Sequence, residues 1–346
     1  MRNCPEVRII MLNYNGRKDL GPIFDKCIQS VLNTDYPDFG LLFVDNNSVD
    51  DSVDHVRKRY GNDPRLVILQ LDKNYGYAKA NNIAAKRYPE SEYLAFINND
   101  ILVPRNWLSK IIEILEPEIS RQMATLSPVI YDKSVEKFIG GTYIEYPSGR
   151  YYVPLFDDVK RLPGRIFEVD FPPGECFIIC RDAFSKIGGF DDQYFLYHDD
   201  GDLGWRLRLE GYKVAMTTEV SVIHFRSSTV KKEFELAKQK RFFESNRLKS
   251  CLKNLEFRSL IALPIVEIST FAAISILAFF KRKYRPWPRG YMLAIWDVLH
   301  KLTFEKRREV QDRRLLSDKE LFKGYFSRVK LAGSKWFLYA LYRLIA

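Results

Sequence analysis

Cysteine is scarce in this sequence, and its spacing fits neither a disulfide framework nor a zinc site. The 346-residue chain has five cysteines, an odd number, without a Cys-x-x-Cys pair among them. Secreted disulfide scaffolds and structural zinc sites need paired, closely spaced cysteines. The five are scattered: Cys4, Cys27, Cys176, Cys180 and Cys251. We therefore expect reduced thiols, as in a cytosolic protein.

The sequence also lacks the pattern of a secretory leader. Such a leader has a basic start, then an apolar stretch, then a cleavage site with small residues. Here a short apolar strand pattern begins at Val7 and gives way to polar residues from Asn13. We therefore expect the catalytic part of the protein to lie in the cytosol.

Acidic residues are sparse in the last third of the chain. Residues 231–346 hold 26 lysines and arginines against 11 aspartates and glutamates, whereas residues 1–230 hold 28 against 33. The formal charge of +10 therefore belongs to the C-terminal part. A basic segment of this kind favours a partner with an anionic surface, either a membrane or a nucleic acid.

Strand patterns alternate with helical patterns through residues 7–100. Each strand pattern is apolar and short: Val7–Leu12, Leu41–Val44, Leu66–Leu71 and Tyr93–Ile97. Three helical patterns lie between them. The first is Asp19–Asn33 and the third is Ala78–Lys86. The second ends at Tyr60, and Ser48 with Asp51 would form a capping box at its start. This alternation predicts an α/β fold with a mostly parallel, Rossmann-like central sheet and right-handed crossovers.

Polar side chains follow each predicted strand at its carboxyl end. Tyr14, Asp45, Asn74 and Asp100 come just after the four strands. Because these ends share one edge of a parallel sheet, the four should converge on one crevice, the usual ligand site of such folds. There Asp45 could accept hydrogen bonds from a nucleobase and Tyr14 could cover its face. Each residue alone also suits an ordinary turn or packing position.

The sequence in the middle of the chain indicates loops that lie over this crevice and a second set of reactive side chains. Residues 131–175 are rich in glycine, proline and tyrosine, which indicates hairpins and loops. Cys176–Cys180 resumes as a strand, and Lys213–Met216 and Ser221–Phe225 are two more, with His224 on the last. A histidine in a strand can be a metal ligand or a hydrogen-bonded core residue.

The densest acidic cluster opens a helix. Asp199, Asp200 and Asp202 repel one another unless something binds beside them. Alternatively, their only role could be to place negative charge near the positive end of the helix dipole at the N-terminus. A carboxylate at this place could take a proton from an attacking hydroxyl group. Asp100 and an imidazole could hold a divalent cation that neutralises a leaving diphosphate.

These residues carry a resemblance. The sequence is similar to the inverting family 2 glycosyltransferases with a GT-A fold, and most similar to their rhamnosyltransferase-like, membrane-associated bacterial and archaeal members. The motifs that carry the resemblance span about residues 5–255: Asn13-Tyr14-Asn15-Gly16, Val44–Ser52, Asn74–Asn82, Asn98-Asn99-Asp100, Gly188–Asp191, Asp199–Arg206, and His224 before Ser227-Ser228.

The resemblance implies a role for each matched residue. The donor site would contain Asn13, Tyr14, Asp45, Asn74, Gly76, Lys79, Asn98 and Asn99. Asp100 would match the last residue of the metal motif, and His224 the later metal ligand. Asp200 would be the general base, and the acceptor path would include Gly174, Glu175, Asp202 and Trp205.

Two positions depart from the family pattern. The metal motif reads Asn98-Asn99-Asp100, with one carboxylate where the usual pattern has two. Asp199 stands where glutamate is commoner, which leaves the base open between Asp199 and Asp200. The resemblance implies a single in-line displacement with inversion, in which a manganese or magnesium ion (Mn2+ or Mg2+) stabilises the leaving nucleotide.

We divide the sequence into a GT-A catalytic domain at 1–255 and a helical, basic and apolar region at 256–346. Within the first, 1–128 would bind the nucleotide sugar, 129–230 the acceptor, and 231–255 would be a connecting helix. In the second, Ile261–Phe280 is long enough to cross a bilayer, but Pro264 and Glu267 interrupt it. Lysines and arginines flank both of its sides, which favours an in-plane or re-entrant membrane helix with cytosolic ends over a crossing. The alternative is a buried helix that packs on the catalytic domain.

The leading hypothesis is therefore a metal-dependent glycosyltransferase at the cytoplasmic face of the membrane. Its partners would be a nucleotide-diphosphate sugar, a glycan or lipid-linked glycan acceptor, and the membrane surface. A sugar nucleotidyltransferase or an inactive sugar-nucleotide binder is the alternative, although Asn13-Tyr14-Asn15-Gly16 is a poor phosphate loop. We expect no nucleic-acid partner, because the basic tail mixes its charge with apolar helices and an amphipathic end from Trp336 to Ile345.

Overall fold

A computed structural model describes residues 4–226, 236–301 and 304–323 of the chain. All structural statements below refer to these residues. Ser227-Ser228 and the amphipathic end from Trp336, which the sequence analysis singled out, lie outside them.

Four parallel strands form the N-terminal half of the main sheet. They are β1 (Val7–Asn13), β2 (Phe39–Asp45), β3 (Leu66–Gln70) and β4 (Tyr93–Asn98), in the spatial order β3-β2-β1-β4. The register pairs Asn13 with Asp45 and Leu12 with Asn98, so the carboxyl ends of β1, β2 and β4 lie side by side. The predicted α/β fold and its shared strand edge are confirmed.

The helices that connect these strands differ in detail from the prediction. They are α1 (Gly16–Leu20), α2 (Pro22–Leu32), α3 (Ser52–Tyr60) and α4 (Gly76–Ala85). The single helix predicted over Asp19–Asn33 is wrong, because Gly21 adopts a positive φ of 54° that ends α1, and Pro22 starts α2. The capping box is also wrong. Asp51 occupies the N-cap of α3 without a side-chain cap, and Ser48 instead bonds to Asp45.

The sheet continues with strands of both directions. After β5 (Ile101–Leu102) and α5 (Trp107–Glu118), strand β6 (Met123–Asp132) joins β12 (Cys176–Cys180), which runs antiparallel to β4. Residues 131–175 form short strands and loops, as predicted, together with one 3-10 turn at Val159–Arg161. The short strands are β7 (Lys137–Ile139), β8 (Tyr143–Glu145), β9 (Arg150–Tyr152), β10 (Leu155–Phe156) and β11 (Ile166–Glu168), of which β8 and β9 form a separate hairpin.

One long strand brings the predicted histidine to the sheet edge. After α6 (Arg181–Lys186) and α7 (Asp199–Leu209), β13 runs from Lys213 to His224. The two strands predicted here are joined into one. β13 pairs with β6 over Lys213–Thr217 and again over Ser221–His224, and the register is irregular between these two stretches. At its end β13 pairs antiparallel with β5, and His224 lies opposite Ile101.

The C-terminal helices share a core with the catalytic part. They are α8 (Leu236–Asn254), α9 (Phe257–Leu260), α10 (Leu263–Phe280), α11 (Pro286–Lys301), α12 (Phe304–Arg313) and α13 (Asp318–Leu321). One hydrophobic cluster joins Tyr146 and Trp205 to Leu263, Val298 and Phe322. The boundary that we placed between residues 255 and 256 therefore crosses a continuous core.

Candidate active site

A network of hydrogen bonds fixes the ends of β1 and β2. The Asn13 amide donates to Asp45 Oδ1 at 2.9 Å, and the Ser48 hydroxyl donates to the same oxygen at 2.5 Å. The Ser48 backbone N–H donates to Asp45 Oδ2 at 2.9 Å. Asp45 is 2% exposed and Asn13 is fully buried. Asp45 thus holds the loop after β2 in place and keeps little surface for a ligand.

A second turn lies beside the first. The Asn46 amide donates to Asn74 Oδ1 at 2.9 Å and to the Gly76 carbonyl at 3.2 Å. Gly76 has a φ of +76°, and a Cβ there would lie 2.2 Å from the Phe195 carbonyl oxygen. Glycine is therefore required at the start of α4. Beside this turn, the ammonium group of half-buried Lys79 lies 5.2 Å from the centre of the Tyr75 ring.

The loop after β4 is joined to both neighbours. Asn99 donates to Asn13 Oδ1 at 2.7 Å, and the Asn98 backbone N–H donates to the Glu175 carbonyl at 2.9 Å. A Cβ on Gly16 would lie 2.2 Å from Asn13 Oδ1. Tyr14, half-buried, follows β1 at the same edge. The structure thus places the predicted donor residues along one sheet edge.

Asp100 and His224 meet at this edge, as the sequence predicts. His224 Nε2 lies 3.2 Å from Asp100 Oδ2, and His224 Nδ1 lies 3.8 Å from Glu175 Oε1. Both residues of the pair are buried. Burial lowers the pKa of His224, but the hydrogen bond and charge of Asp100 and the charge of Glu175 outweigh it, so that the pKa is raised.

The pair suits a divalent cation of the kind that binds phosphates. A carboxylate oxygen, the ligand type that magnesium and manganese prefer, converges with an imidazole nitrogen, which is a ligand of transition-metal ions. Within the residues that the structure describes, no group of three or more histidine, cysteine, aspartate or glutamate side chains could hold an ion. Ions of this class commonly take one or two protein ligands and complete their shell with substrate phosphates and water. The two residues therefore fit a cation that binds together with a nucleotide.

The predicted base lies at the start of α7. Asp200 Oδ2 accepts from the Gly174 backbone N–H at 3.2 Å. Its Oδ1 accepts from the Gly201 N–H at 2.7 Å and from the Tyr151 hydroxyl at 3.4 Å. Burial, then the charges of Asp199 and Glu175, hold the pKa of Asp200 well above its usual range, although the two backbone donors act in the opposite direction.

Asp199 is 7% exposed and lies beside Asp200 in the same turn. Burial is the main cause that raises its pKa to about 7, and the charges of Asp202 and Glu175 add to it. Of the two acids, Asp200 is the more exposed and bonds directly to the loop at Gly174. Asp200 is therefore the better placed to meet a substrate.

Gly174 and Glu175 connect the two reactive groups. Gly174 donates to Asp200, and the next residue, Glu175, lies against His224 and bonds through its carbonyl to Asn98. The Tyr77 hydroxyl donates to the Gly174 carbonyl at 2.7 Å. The base and the candidate cation pair are thus separated by a single two-residue segment.

Two predicted acceptor residues lie elsewhere. Asp202 is fully buried and bonds to Arg206 at 2.8 Å and to Lys253 at 2.9 Å. Trp205 is 1% exposed and packs edge to face on Phe322. Because both side chains are enclosed by the protein, we do not carry their assignment to the acceptor path further.

Sequence reasoning missed four side chains that shape the site. Asn46 and Ser48 organise the two donor-side turns, and Tyr77 and Tyr151 contact the loop and the base. Asn46, Ser48 and Tyr77 lie inside motifs that we quoted, so their position was the available signal. Tyr151 lies in the hairpin region, where no periodic pattern in the sequence indicates which tyrosine faces the crevice.

An open, mostly parallel sheet with amides and acids at one edge, and an acid-led helix across from them, fits the GT-A fold. The sequence profile described as "Glycosyl transferase family 2" matches residues 8–188. The chain therefore belongs to glycosyl transferase family 2, and the predicted family, fold and enzyme class are confirmed.

The chain is also similar in sequence to two curated relatives. The chain is 29% identical over 239 residues to the O-antigen biosynthesis protein RfbC of Myxococcus xanthus, a match that covers 66% of this chain and 18% of that protein. It is 26% identical over 240 residues to the N-acetylglucosaminyl-diphospho-decaprenol L-rhamnosyltransferase of Mycobacterium tuberculosis, covering 60% of this chain and 73% of that protein.

The fold is also similar to that of a mannosyltransferase from Pyrobaculum calidifontis, solved with GDP-Man and Mn2+. The TM-score is 0.53 at 16% identity, and the match covers 87% of this chain and 89% of the other. At this identity the similarity concerns the fold alone.

Proposed function

We propose that this protein transfers a sugar from a nucleotide-diphosphate sugar to a hydroxyl group of a glycan acceptor, with inversion at the anomeric carbon. The observation that supports the proposal best is the Gly174-Glu175 segment, which touches Asp200 on one side and His224 on the other. A base lies on one side of this short segment and a site that could neutralise phosphate lies on the other. An anomeric carbon bound between them could be attacked by the acceptor hydroxyl while the diphosphate leaves.

Asp200 supplies the proton acceptor in this proposal. The Gly174 and Gly201 N–H groups orient its carboxylate, and the raised pKa makes it a stronger base than a surface aspartate. The acceptor hydroxyl loses its proton to Asp200 as its oxygen attacks the anomeric carbon, and the bond to the nucleoside diphosphate breaks on the opposite face. Asp199 remains beside it and raises the pKa of Asp200 by charge.

Asp100 and His224 would hold the divalent cation, manganese or magnesium. Bound there, the ion would act as a Lewis acid that stabilises the negative charge of the leaving diphosphate. The amides of Asn13, Asn46 and Asn99 keep the surrounding loops in place through their mutual hydrogen bonds. They thereby keep the donor side of the crevice rigid before the nucleotide arrives.

We place the reaction at the cytoplasmic membrane surface, with a lipid-linked glycan as the acceptor. The relative from Mycobacterium tuberculosis carries a decaprenol-linked sugar in its name. Residues 257–280 are long and apolar enough to cross a bilayer, and 22% of the most apolar part is buried. On the outward side of α10, the side chains of Ile268 and Phe279 are 70% and 80% exposed. Such exposure argues against a helix buried in a soluble protein.

Two features of α10 favour a position in the plane of the membrane. Its one acid, Glu267, accepts two hydrogen bonds from fully buried Arg247 at 2.9 and 2.6 Å. This buried pair ties the inner side of α10 to α8, so a bilayer crossing would have to break it. Exposed Arg258, Lys281 and Arg282 at the two ends can contact lipid phosphates.

A panel of nucleotide sugars, scored by the thermal shift of the protein with and without Mn2+, tests the donor part of the proposal. Binding to the folded state raises the apparent melting temperature by mass action. We expect one nucleotide sugar to stabilise the protein only when Mn2+ is present. If none of the panel shifts the melting temperature, the proposed donor class is wrong.

A further inference from the structure

The helix that we predicted to be a connector, α8, has a buried polar side. Asn246, Ser250, Lys253 and Asn254 lie at spacings of four, three and one residues, which places them on one face of the helix. All four are at most 7% exposed. Buried polar groups cost free energy unless they are bonded, so this face needs partners within the protein.

The partners lie in the segment from Asp191 to Asp202, which carries the catalytic acids. The Lys253 ammonium donates to Asp191 Oδ2 at 2.6 Å and to Asp202 Oδ2 at 2.9 Å. These two carboxylates flank the loop that leads into α7 and the first turn that contains Asp199 and Asp200. A single cation therefore holds both ends of the catalytic segment.

The rest of the same face binds the middle of the segment. The Asn246 amide donates to the Leu196 and Tyr197 carbonyls, at 2.9 Å each. Asn254 donates to Asp202 at 3.0 Å, and the Ser250 and Tyr194 hydroxyls lie 2.9 Å apart. Tyr197 and His198 have φ values of 69° and 67°, a conformation that ordinary residues adopt at a cost and that these bonds stabilise.

We propose that the buried polar face of α8, centred on Lys253, positions the catalytic base. This inference rests on the proposed function for the role of Asp200. Lys253 does not act on the substrate. It fixes the backbone from which Asp200 projects, and together with Arg206 it neutralises Asp202, two residues after Asp200. Helix α8 is therefore part of the catalytic unit.

Two variants test this inference. Lys253→Met removes the cation. Asn246→Ala removes only neutral donors, so it still tests the inference if Lys253→Met fails to fold. Lys26→Met and Gln29→Ala are the matched controls, because both lie exposed on α2. The first measurement is amide hydrogen exchange of residues 191–202 in the full chain, which needs no substrate. We expect faster exchange in this segment for both α8 variants and unchanged exchange in the controls.

The second measurement is steady-state transfer with the nucleotide sugar that the thermal-shift panel selects. We expect the kcat of both α8 variants to fall about 10- to 100-fold with an unchanged KM for the donor, since small displacements of a reacting group cost rate rather than binding. Loss of Lys253 should also move the acid limb of the pH profile upward. Asp202 then keeps only Arg206 as a cationic partner, so more of its negative charge opposes ionisation of its neighbours. A merely structural role would leave that limb in place.

The outcomes separate this inference from the proposed function. Unchanged hydrogen exchange at 191–202, or an unchanged kcat and pH profile in folded variants, would overturn the positioning role. A wild-type protein that transfers no sugar would instead overturn the proposed function, and with it the role of α8 toward a base.

Discussion

The substitution Asp200→Asn should separate donor binding from transfer. It is nearly isosteric and removes the ability to accept a proton. An amide oxygen can keep one of the two backbone donors, Gly174 or Gly201, and the other N–H then faces an NH2 group. A lost hydrogen bond to a charged group costs about 1.5–3 kcal/mol of folding stability.

A second effect opposes this loss. The pKa of Asp200 is raised mainly by burial and by the charges of Asp199 and Glu175, so removing its charge relieves desolvation and repulsion. We therefore expect a small net change in folding stability. General base catalysis contributes about 10²- to 10⁴-fold to a rate, so the kcat should fall by that factor. The expected fall in kcat is therefore large and the expected change in folding stability is small, so an assay can distinguish loss of catalysis from loss of folded protein.

The assay measures release of the nucleoside diphosphate together with the donor-induced thermal shift in Mn2+. Asp182→Asn, at an exposed position in the first turn of α6, is the matched control. The variant Asp200→Asn should keep the thermal shift and lose transfer, and the control should keep both. Transfer within threefold of wild type by Asp200→Asn would refute the role of Asp200 as the base.

Three further predictions concern the pH profile, the loop at Gly174 and the membrane helix. Because burial raises the pKa of Asp200, and that of Asp199 to about 7, these acids ionise only as the pH rises. The kcat should therefore increase through neutral pH, and a rate that stays constant down to pH 5 would contradict the assignment. In Gly174→Ala, the added Cβ would lie 3.1 Å from Asp200 Oδ2; we expect a lower kcat with an unchanged donor-induced thermal shift, and an unchanged kcat would show that the carboxylate is free to move. Ile268→Gln with Phe279→Gln should reduce flotation with anionic vesicles without affecting the donor-induced shift, whereas full flotation would remove α10 as the membrane contact.

The sheet and its ligand edge could be predicted because they follow from periodicity alone. Each strand is a short apolar run that stops on polar residues, and parallel strands necessarily bring those residues together. The meeting of Asp100 and His224, 124 positions apart in the sequence, could not be obtained from periodicity. It depends on the pairing of β5 with β13, and only the resemblance to the family indicated it.

The role of α8 and of Asp202 could not be predicted, for a physical reason. A helix with a buried polar face shows no apolar stripe, so its sequence looks like an exposed connector. Asp202 follows two reactive acids at a spacing that suggests the same role, yet it points to the opposite side of α7 and is neutralised by Lys253 and Arg206. Only the packing of α8 on α7 distinguishes these carboxylates.

The central claim is that a cation site and a base share one crevice on either side of Gly174-Glu175. A crystal structure of the protein with Mn2+ and a nucleoside diphosphate, located by the anomalous signal of manganese, tests it most directly. We expect one manganese ion bound by Asp100 and His224, with the diphosphate on the side that faces Asp200. A manganese ion bound elsewhere, with neither Asp100 nor His224 bound to it, would contradict this arrangement.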